Sequence, residues 1–207
     1  MNPQTRNART QIIVEAAERV FTHKGIEKAT MQDVATEAAM GVATVFRFFP
    51  RKEKLVVAVA TKMLETVLET FRSVAEQPVS CMEKLELLFD HFISLLEQQT
   101  SSNVKLLENF ESYAAQFTEP LEDIELFNAV YRDISQVFST IVEQGIEDGS
   151  VQADLPFAET LTTIVNTFGI FARKLSLQKN ILVVEPDLAP EKQLAILKHI
   201  LLNYLRA

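Results

Sequence analysis

The sequence predicts an all-α protein, with an N-terminal three-helix domain that contains a helix-turn-helix and a larger C-terminal helical bundle. Three observations carry this. Only five glycines and seven prolines punctuate 207 residues, so few positions break a regular backbone. Apolar residues recur at three- and four-residue spacing along most of the chain, whereas the strict alternation of half-buried strands is scarce. Between Thr30 and Phe48 two short helical patterns are separated only by Ala39, Met40 and Gly41. A hydrophobic content of 47% allows a sizeable core, divided here into a small domain over 1–52 and a larger one over 53–207.

Taken in order, residues 5–24 read as the first helix, with Ile13, Ala17, Val20 and Phe21 inward and Gly25 in a C-terminal capping position. Arg6 and Arg9 open it, as a plain basic terminus or as phosphate contacts. Thr30 and Asp33 form a capping-box-like start, so the second helix begins at about Met31. Met31, Val34, Ala35 and Ala38 give it one buried face, leaving Gln32, Thr36 and Glu37 to solvent. Gly41 supplies either the torsion of a tight turn or the N-cap of a third helix, Val42 to about Phe48. Pro50 ends that helix.

A fourth helix, Lys52 to about Glu76, carries Leu55, Val59, Met63, Val67 and Phe71 at four-residue intervals and connects the two domains. Ser80 caps the next, with Leu85, Leu88, Phe89, Phe92, Leu95 and Leu96 on one face. Ser102 or Asn103 opens another that reaches Phe117. Pro120 starts a helix to about residue 146 whose Ile124, Phe127, Tyr131, Ile134, Phe138 and Ile141 suit a bundle. Gln144 to Pro156 turns the chain at Gly149. From Phe157 to about Gln178 the pattern is apolar nearly all round, which predicts burial on more than one side. Pro190 to Arg206 forms the last helix, and the apolar stretch Ile181 to Val184 has no assigned element.

Two short helices joined by a turn of three or four residues are what a DNA-binding helix-turn-helix requires, because the first braces the second in the major groove. Val45 and Phe49 would face the core, leaving Val42, Ala43, Phe46 and Arg47 outward. Lys52, beside the N-terminus of the next helix, suits a phosphate oxygen. Charge follows the same division. The whole chain carries −8, yet residues 1–55 hold nine Lys or Arg against six Asp or Glu, a balance of +3, which leaves −11 for the remainder. Spacing alone keeps a second reading open, in which this is an ordinary small helical domain with Phe46, Phe48 and Phe49 in its core.

Ala16, Ala17, Val20, Phe21, Gly25, Thr30, Val34, Ala35, Ala38, Thr44, Phe46, Phe49, Lys52, Glu53 and Leu55 stand in one register, and with them the segment resembles the N-terminal domain of the TetR (tetracycline-repressor) family of transcriptional regulators. Four positions depart from that pattern: Ala39 replaces the usual turn glycine, Gly41 a frequent serine, Ala43 a common glycine and Phe46 the usual tyrosine. A thymine methyl contact or packing would replace the missing phenol.

The resemblance implies a homodimeric regulator, most often a repressor, that binds a palindromic double-stranded DNA operator with half-sites about one helical turn, roughly 34 Å, or somewhat more apart. It implies DNA contacts from Thr30, Gln32, Val42, Ala43, Thr44, Phe46, Arg47 and Lys52. The C-terminal bundle becomes a ligand-binding and dimerisation domain, in which an effector shifts the helix 52–76 and so releases DNA. Residues expected around that effector are Phe92, Leu96, Phe110, Tyr113, Phe117, Tyr131, Phe138 and Asn166; their aromatic character points to an apolar or aromatic small molecule, with ordinary core packing as the alternative for each. The two C-terminal helices are expected to pair with their two-fold mates through Leu161, Phe168, Phe171, Leu197, Leu201 and Tyr204.

A different class stays in view: an all-helical enzyme or a protein-interaction module without DNA function. Its chemistry lacks a constellation. His23, His91 and His199 are scattered, Asp90 does not face the same way as His91, and there is neither HExxH nor a GxSxG elbow, so no catalytic set, metal site or cofactor is expected. One cysteine, Cys81, cannot form an internal disulfide or a CxxC site. No apolar run approaches the roughly 18 residues of a membrane span, so a cytoplasmic protein without a membrane partner is expected.

Overall fold

The computed structural model describes residues 3–97, 102–178 and 189–207, and among them the chain forms nine helices and no strand. These are α1 (Pro3–Lys24), α2 (Met31–Glu37), α3 (Val42–Phe48), α4 (Lys52–Ala75), α5 (Cys81–Glu97), α6 (Ser102–Ala114), α7 (Ile124–Glu147), α8 (Phe157–Gln178) and α9 (Pro190–Leu205). The expected all-α class holds, and most ends fall where capping residues put them. Gly25 closes α1 at φ +81°, and Gly149 closes α7 at φ +76°. Ser80 receives the Glu83 N–H on its Oγ and returns its own N–H to the Glu83 carboxylate, which is the reciprocal box expected from Ser followed by Glu three residues on.

The helices form two compact units, Met1–Thr66 with Ser102–Tyr131, and Val67–Ser101 with Arg132–Ala207. In the first unit, α2 starts at Thr30, whose Oγ1 accepts the Asp33 N–H at 3.1 Å while the Asp33 carboxylate accepts the Thr30 N–H at 2.8 Å. Its far end is a Schellman motif. The Met40 N–H reaches the Ala35 carbonyl at 2.9 Å and the Ala39 N–H the Thr36 carbonyl at 3.1 Å, so two carbonyls of the last turn are satisfied. The residue that must be left-handed there is Ala39, at φ +51°, and not Gly41, which sits at φ −67° as the N-cap of α3. An alanine in that region bears a Cβ clash that glycine lacks.

The core of this unit joins Ile13, Ala17 and Phe21 of α1 to Val34 and Ala35 of α2, Val45 and Phe49 around α3, and Leu55 and Val59 of α4. It also takes in Leu106, Phe110 and Tyr113 of α6 and Leu121 beyond it. Burying Leu121 makes the chain turn, and α7 therefore starts at Ile124 rather than at Pro120: the Ile124 N–H closes on the Leu121 carbonyl at 3.1 Å, and Asp123 is left-handed at φ +68°. Likewise α6 ends at Ala114, after which the Gln116 and Phe117 amides make tighter three-residue bonds to Tyr113 and Ala114.

In the second unit, Leu85, Leu88 and Phe89 of α5 pack with Phe138, Ile141 and Val142 of α7, Ile164, Phe168 and Leu175 of α8, and Leu194, Leu201, Leu202 and Leu205 of α9. The Phe89 and Phe168 rings lie 4.9 Å apart. Helices α5 and α7 approach so closely that a Cβ on Gly145 would fall 2.6 Å from the Cys81 sulfur, which explains a glycine inside a helix. The buried Lys84 ammonium donates to the Ala75 carbonyl at the end of α4 (2.8 Å) and to Gln144 Oε1 (3.0 Å), satisfying a helix end with a cation. After α7 the chain makes an antiparallel bridge, Val151 with Arg206, and the Gln152 amide donates to the Tyr204 and Arg206 carbonyls, fastening the end of α9.

Two expectations follow. Ala39→Gly should raise the stability of the first unit by roughly 0.5 to 1 kcal/mol in denaturant unfolding, because relief of the left-handed strain exceeds the glycine's extra unfolded-state entropy. Asp33 is held down from 3.8 to about 2, first by the Lys24 ammonium at 2.6 Å and then by the Thr30 hydroxyl and amide. A carboxyl lowered on folding stabilises above its unfolded value and loses that contribution as pH falls through the folded one. The gap in melting temperature between wild type and Asp33→Ala should therefore be full at neutral pH and shrink between about pH 4 and pH 2.

Candidate nucleic-acid interface

Helix α3 buries Val45 and turns its other faces outward. Ala43, Phe46 and Arg47 are exposed, Phe46 at 45%, while Val42 and Thr44 are half-buried. A phenylalanine so open to water is not a core residue, so the open alternative for Phe46 is settled by exposure; Phe49 is the one that goes inside. The Arg47 guanidinium stands 6.0 Å from the centre of the Phe48 ring. On α2, Gln32 is exposed; Thr30 is exposed too, but its hydroxyl also donates to Asp33 Oδ2 at 2.7 Å. Gln32, Ala43, Phe46 and Arg47 thus all lie open to solvent on this helix pair.

The pair is braced by charge as well as by apolar contact. Arg19 of α1 meets Glu37 at the end of α2 (2.6 Å), Lys24 meets Asp33 (2.6 Å), and Lys62 of α4 meets Glu18 (2.8 Å). Half of these side chains are well exposed and the rest only partly buried, so each pair contributes little alone, but together they tie α1 to α2 and α4.

Lys52, expected beside a phosphate, has partners within the chain. It is half-buried, donates to the Glu27 carbonyl at 3.0 Å and stands 5.9 Å from the centre of the Tyr113 ring, and burial lowers its pKa. Tyr113 in turn donates to Glu53 at 3.3 Å, with burial first and the Glu53 charge second pushing its phenol up to about 12. Gln116 donates to the Glu27 carboxylate at 2.7 Å. Lys54 lies between Glu122 (2.8 Å) and Asp123 (3.1 Å), and Arg51 is 3.9 Å from Glu122. Helix α6 and the turn after it therefore grip the start of α4. Nothing in the local spacing around residue 52 announces partners sixty to seventy residues away, although the acidic Glu122-Asp123 pair was visible in the chain.

The residues expected around an effector do not come together as one set. Phe110 and Tyr113 lie in the core of the first unit, Phe117 and Tyr131 are exposed, and Asn166 points to solvent from α8. Phe92 and Phe138 do meet a common partner, with ring centres 6.1 and 6.2 Å from Phe71 of α4. The side chain of Leu96 lies outside the described residues. A small pocket of about 260 Å³, open mouth included, is lined by Phe138, Val142, Ile146, Leu155 and Ile164, with Gln152 and the buried Thr160 as its polar members.

The residues expected at a pairing face differ in exposure. Phe168 and Leu201 are buried within their own chain, Phe171 and Leu197 are half-buried, Tyr204 is exposed, and the Leu161 side chain is outside the described residues. Among the described residues, the large apolar side chains that α8 and α9 leave to solvent are Val165, Ile170, Ile196, Ile200 and Tyr204. In helices apolar on several faces, periodicity cannot say which stripe the chain itself consumes; the neighbours α5 and α7 consume the one containing Phe168 and Leu201.

Residues 13–59 match the family described as bacterial regulatory proteins, tetR family. The repressor KstR2 of Mycolicibacterium smegmatis is 22% identical over 156 residues, covering 74% of this chain and 72% of its own. The crystal structure of the regulator FadR from Bacillus subtilis, in complex with stearoyl-CoA, is similar over 95% of this chain and 99% of its own, with a TM-score of 0.72 at 16% identity. The ketosteroid regulator KstR2 of Mycobacterium tuberculosis is similar over 96% and 95%, with a TM-score of 0.63 at 18% identity. With a helix-turn-helix whose α3 is exposed along one side, residues 13–59 carry the N-terminal domain of the tetR family of bacterial regulatory proteins, and the chain as a whole shares the fold of solved regulators of that kind.

Proposed function

We propose that the protein is a repressor that binds a palindromic operator as a homodimer, reads it with residues 1–52 and is released by a small apolar or aromatic effector bound within 53–207. The observation that carries this reading is the exposed side of α3, where Ala43 lets the backbone approach base edges and Phe46 and Arg47 reach beyond it. Thr30, Gln32, Val42 and Thr44 flank that side, and Lys52 keeps the ammonium donors not given to Glu27 for a phosphate. Dimerisation is supported by the exposed stripe Ile196, Ile200 and Tyr204 at four-residue intervals on α9, which an isologous contact would remove from water. A single reading helix also supplies too few base contacts for the several kcal/mol of discrimination that specific binding needs.

For the effector, the support is the aromatic group Phe71, Phe92 and Phe138, which joins α4 to α5 and α7, and the apolar acyl chain of the stearoyl-CoA bound by FadR. The ligand releases DNA only to the extent that it binds the DNA-incompetent arrangement more tightly. Sequencing of genomic fragments retained by the purified protein should recover an inverted repeat; retention without any enriched sequence would overturn the reading.

Arg47→Ala should weaken binding to that recovered site by about 1 to 3 kcal/mol while leaving binding to unrelated duplex nearly unchanged, as a base-edge contact requires. For the dimer, Ile200→Glu places a charge on the exposed stripe and should yield a folded monomer in sedimentation with weak operator binding. Leu201→Glu buries the charge in the chain's own core and should instead unfold it.

A further inference from the structure

We propose that Arg51 and Lys54 are additional DNA-phosphate contacts held in reserve by Glu122 and Asp123, so that the turn between α6 and α7 sets how much positive charge the head presents to DNA. The inference rests on the docking of α3 proposed above. Arg51 and Lys54 flank Lys52 at the first turn of α4, directly after the reading helix and Pro50. They are two of only nine cationic side chains in residues 1–55, in a chain whose net charge is −8, so their availability changes the field at this face substantially.

The restraining carboxylates are built into a particular backbone. Asp123 adopts φ +68°, a conformation that an aspartate tolerates but does not prefer, between the buried Leu121 and the first residue of α7. From there its carboxylate and that of Glu122 take Lys54 from two sides, at 3.1 and 2.8 Å, and Glu122 also stands 3.9 Å from Arg51. Two cations thus face two carboxylates. The Glu122 and Asp123 side chains are about half exposed, at 50% and 45%, so the pairs lie at the surface, where a phosphate oxygen can compete as an equivalent anionic acceptor. A cation neutralised inside the protein displaces no counterion from DNA; once released to a phosphate it displaces about one, and this appears in the salt dependence of binding. Tyr113 and Gln116 hold the same turn against Glu53 and Glu27, so a displacement of α6 would move the acid pair with it.

The test compares wild type with Glu122→Gln/Asp123→Asn, the second change chosen because asparagine also tolerates a left-handed backbone. Binding to a labelled 40-base-pair duplex of unrelated sequence, and to the recovered operator fragment, is measured between 50 and 200 mM salt. The double variant should bind both more tightly at low salt, and its affinity loss over that range should grow by roughly three- to fourfold for each cation released, a slope steeper by about one to two. Adding Lys54→Ala should remove about one unit of that gain. Glu119→Gln, which removes a charge from the same exposed turn without touching Lys54, should leave the slope unchanged. A slope equal to wild type in the double variant, or an equal gain from Glu119→Gln, overturns the proposal. Arg47→Ala in the same assay separates the two readings: if it leaves operator binding intact, the docking of α3 has failed, whereas a loss there beside an unchanged slope in the acid variant removes only the reserve.

Discussion

Helix α3 has only seven residues, too few to persist in water by its own hydrogen bonds, and it stays helical because Val45 and Phe49 are buried against α1, α2 and α4. Everything proposed for DNA depends on that contact. Burial of one face fixes the rotation of the helix, and the rotation decides that Ala43, Phe46 and Arg47 are the side chains left outside. The Schellman turn before it and the Thr30 box before that set the angle at which α3 leaves α2, with Ala39 bearing the strain in place of a glycine.

The second constraint is that the core of the head is not completed by its own first four helices. Leu106, Phe110, Tyr113 and Leu121 arrive from more than forty residues beyond the start of α4 to finish it. Once these apolar side chains are inside, the polar residues between and after them are forced against the cations of the head. Tyr113 falls beside Lys52, and Glu122 and Asp123 fall beside Lys54. Any displacement of α6 or of the start of α7 would therefore act electrostatically on the cations at the start of α4.

In the second unit the same logic separates core from surface. Helices α8 and α9 carry more apolar surface than one chain uses. Phe168, Leu194, Leu201 and Leu205 go to the internal core, while Ile170, Ile196 and Ile200 remain exposed at 67%, 62% and 56%. Ile196 and Ile200 stand one helical turn apart on the same side of α9, and exposed apolar side chains so placed suit an isologous contact.

The sequence by itself determined what is local. Capping chemistry at Thr30, Gly25, Ser80 and Gly149 placed helix ends, 3.6-residue periodicity placed the helices, and Val45 and Phe49 were legible as the inward face of α3 because a short amphipathic helix has only one apolar side. The turn was legible as a turn, but not that Ala39 rather than Gly41 would be left-handed, since both orders satisfy the same spacing. Tertiary structure alone decided the matters that depend on distant partners. Lys52 read as a phosphate contact from its place beside a helix N-terminus, and only the fold gave it the Glu27 carbonyl as a partner and brought Glu122 and Asp123 beside Lys54; Phe110 and Tyr113 read as ligand-facing, and the fold put them in the core of the first unit; and α8, apolar nearly all round, had no intrinsic inner side until its neighbours covered one stripe. A helix's own sequence specifies how many faces are apolar, whereas which of them meets water is set by what else competes to bury it.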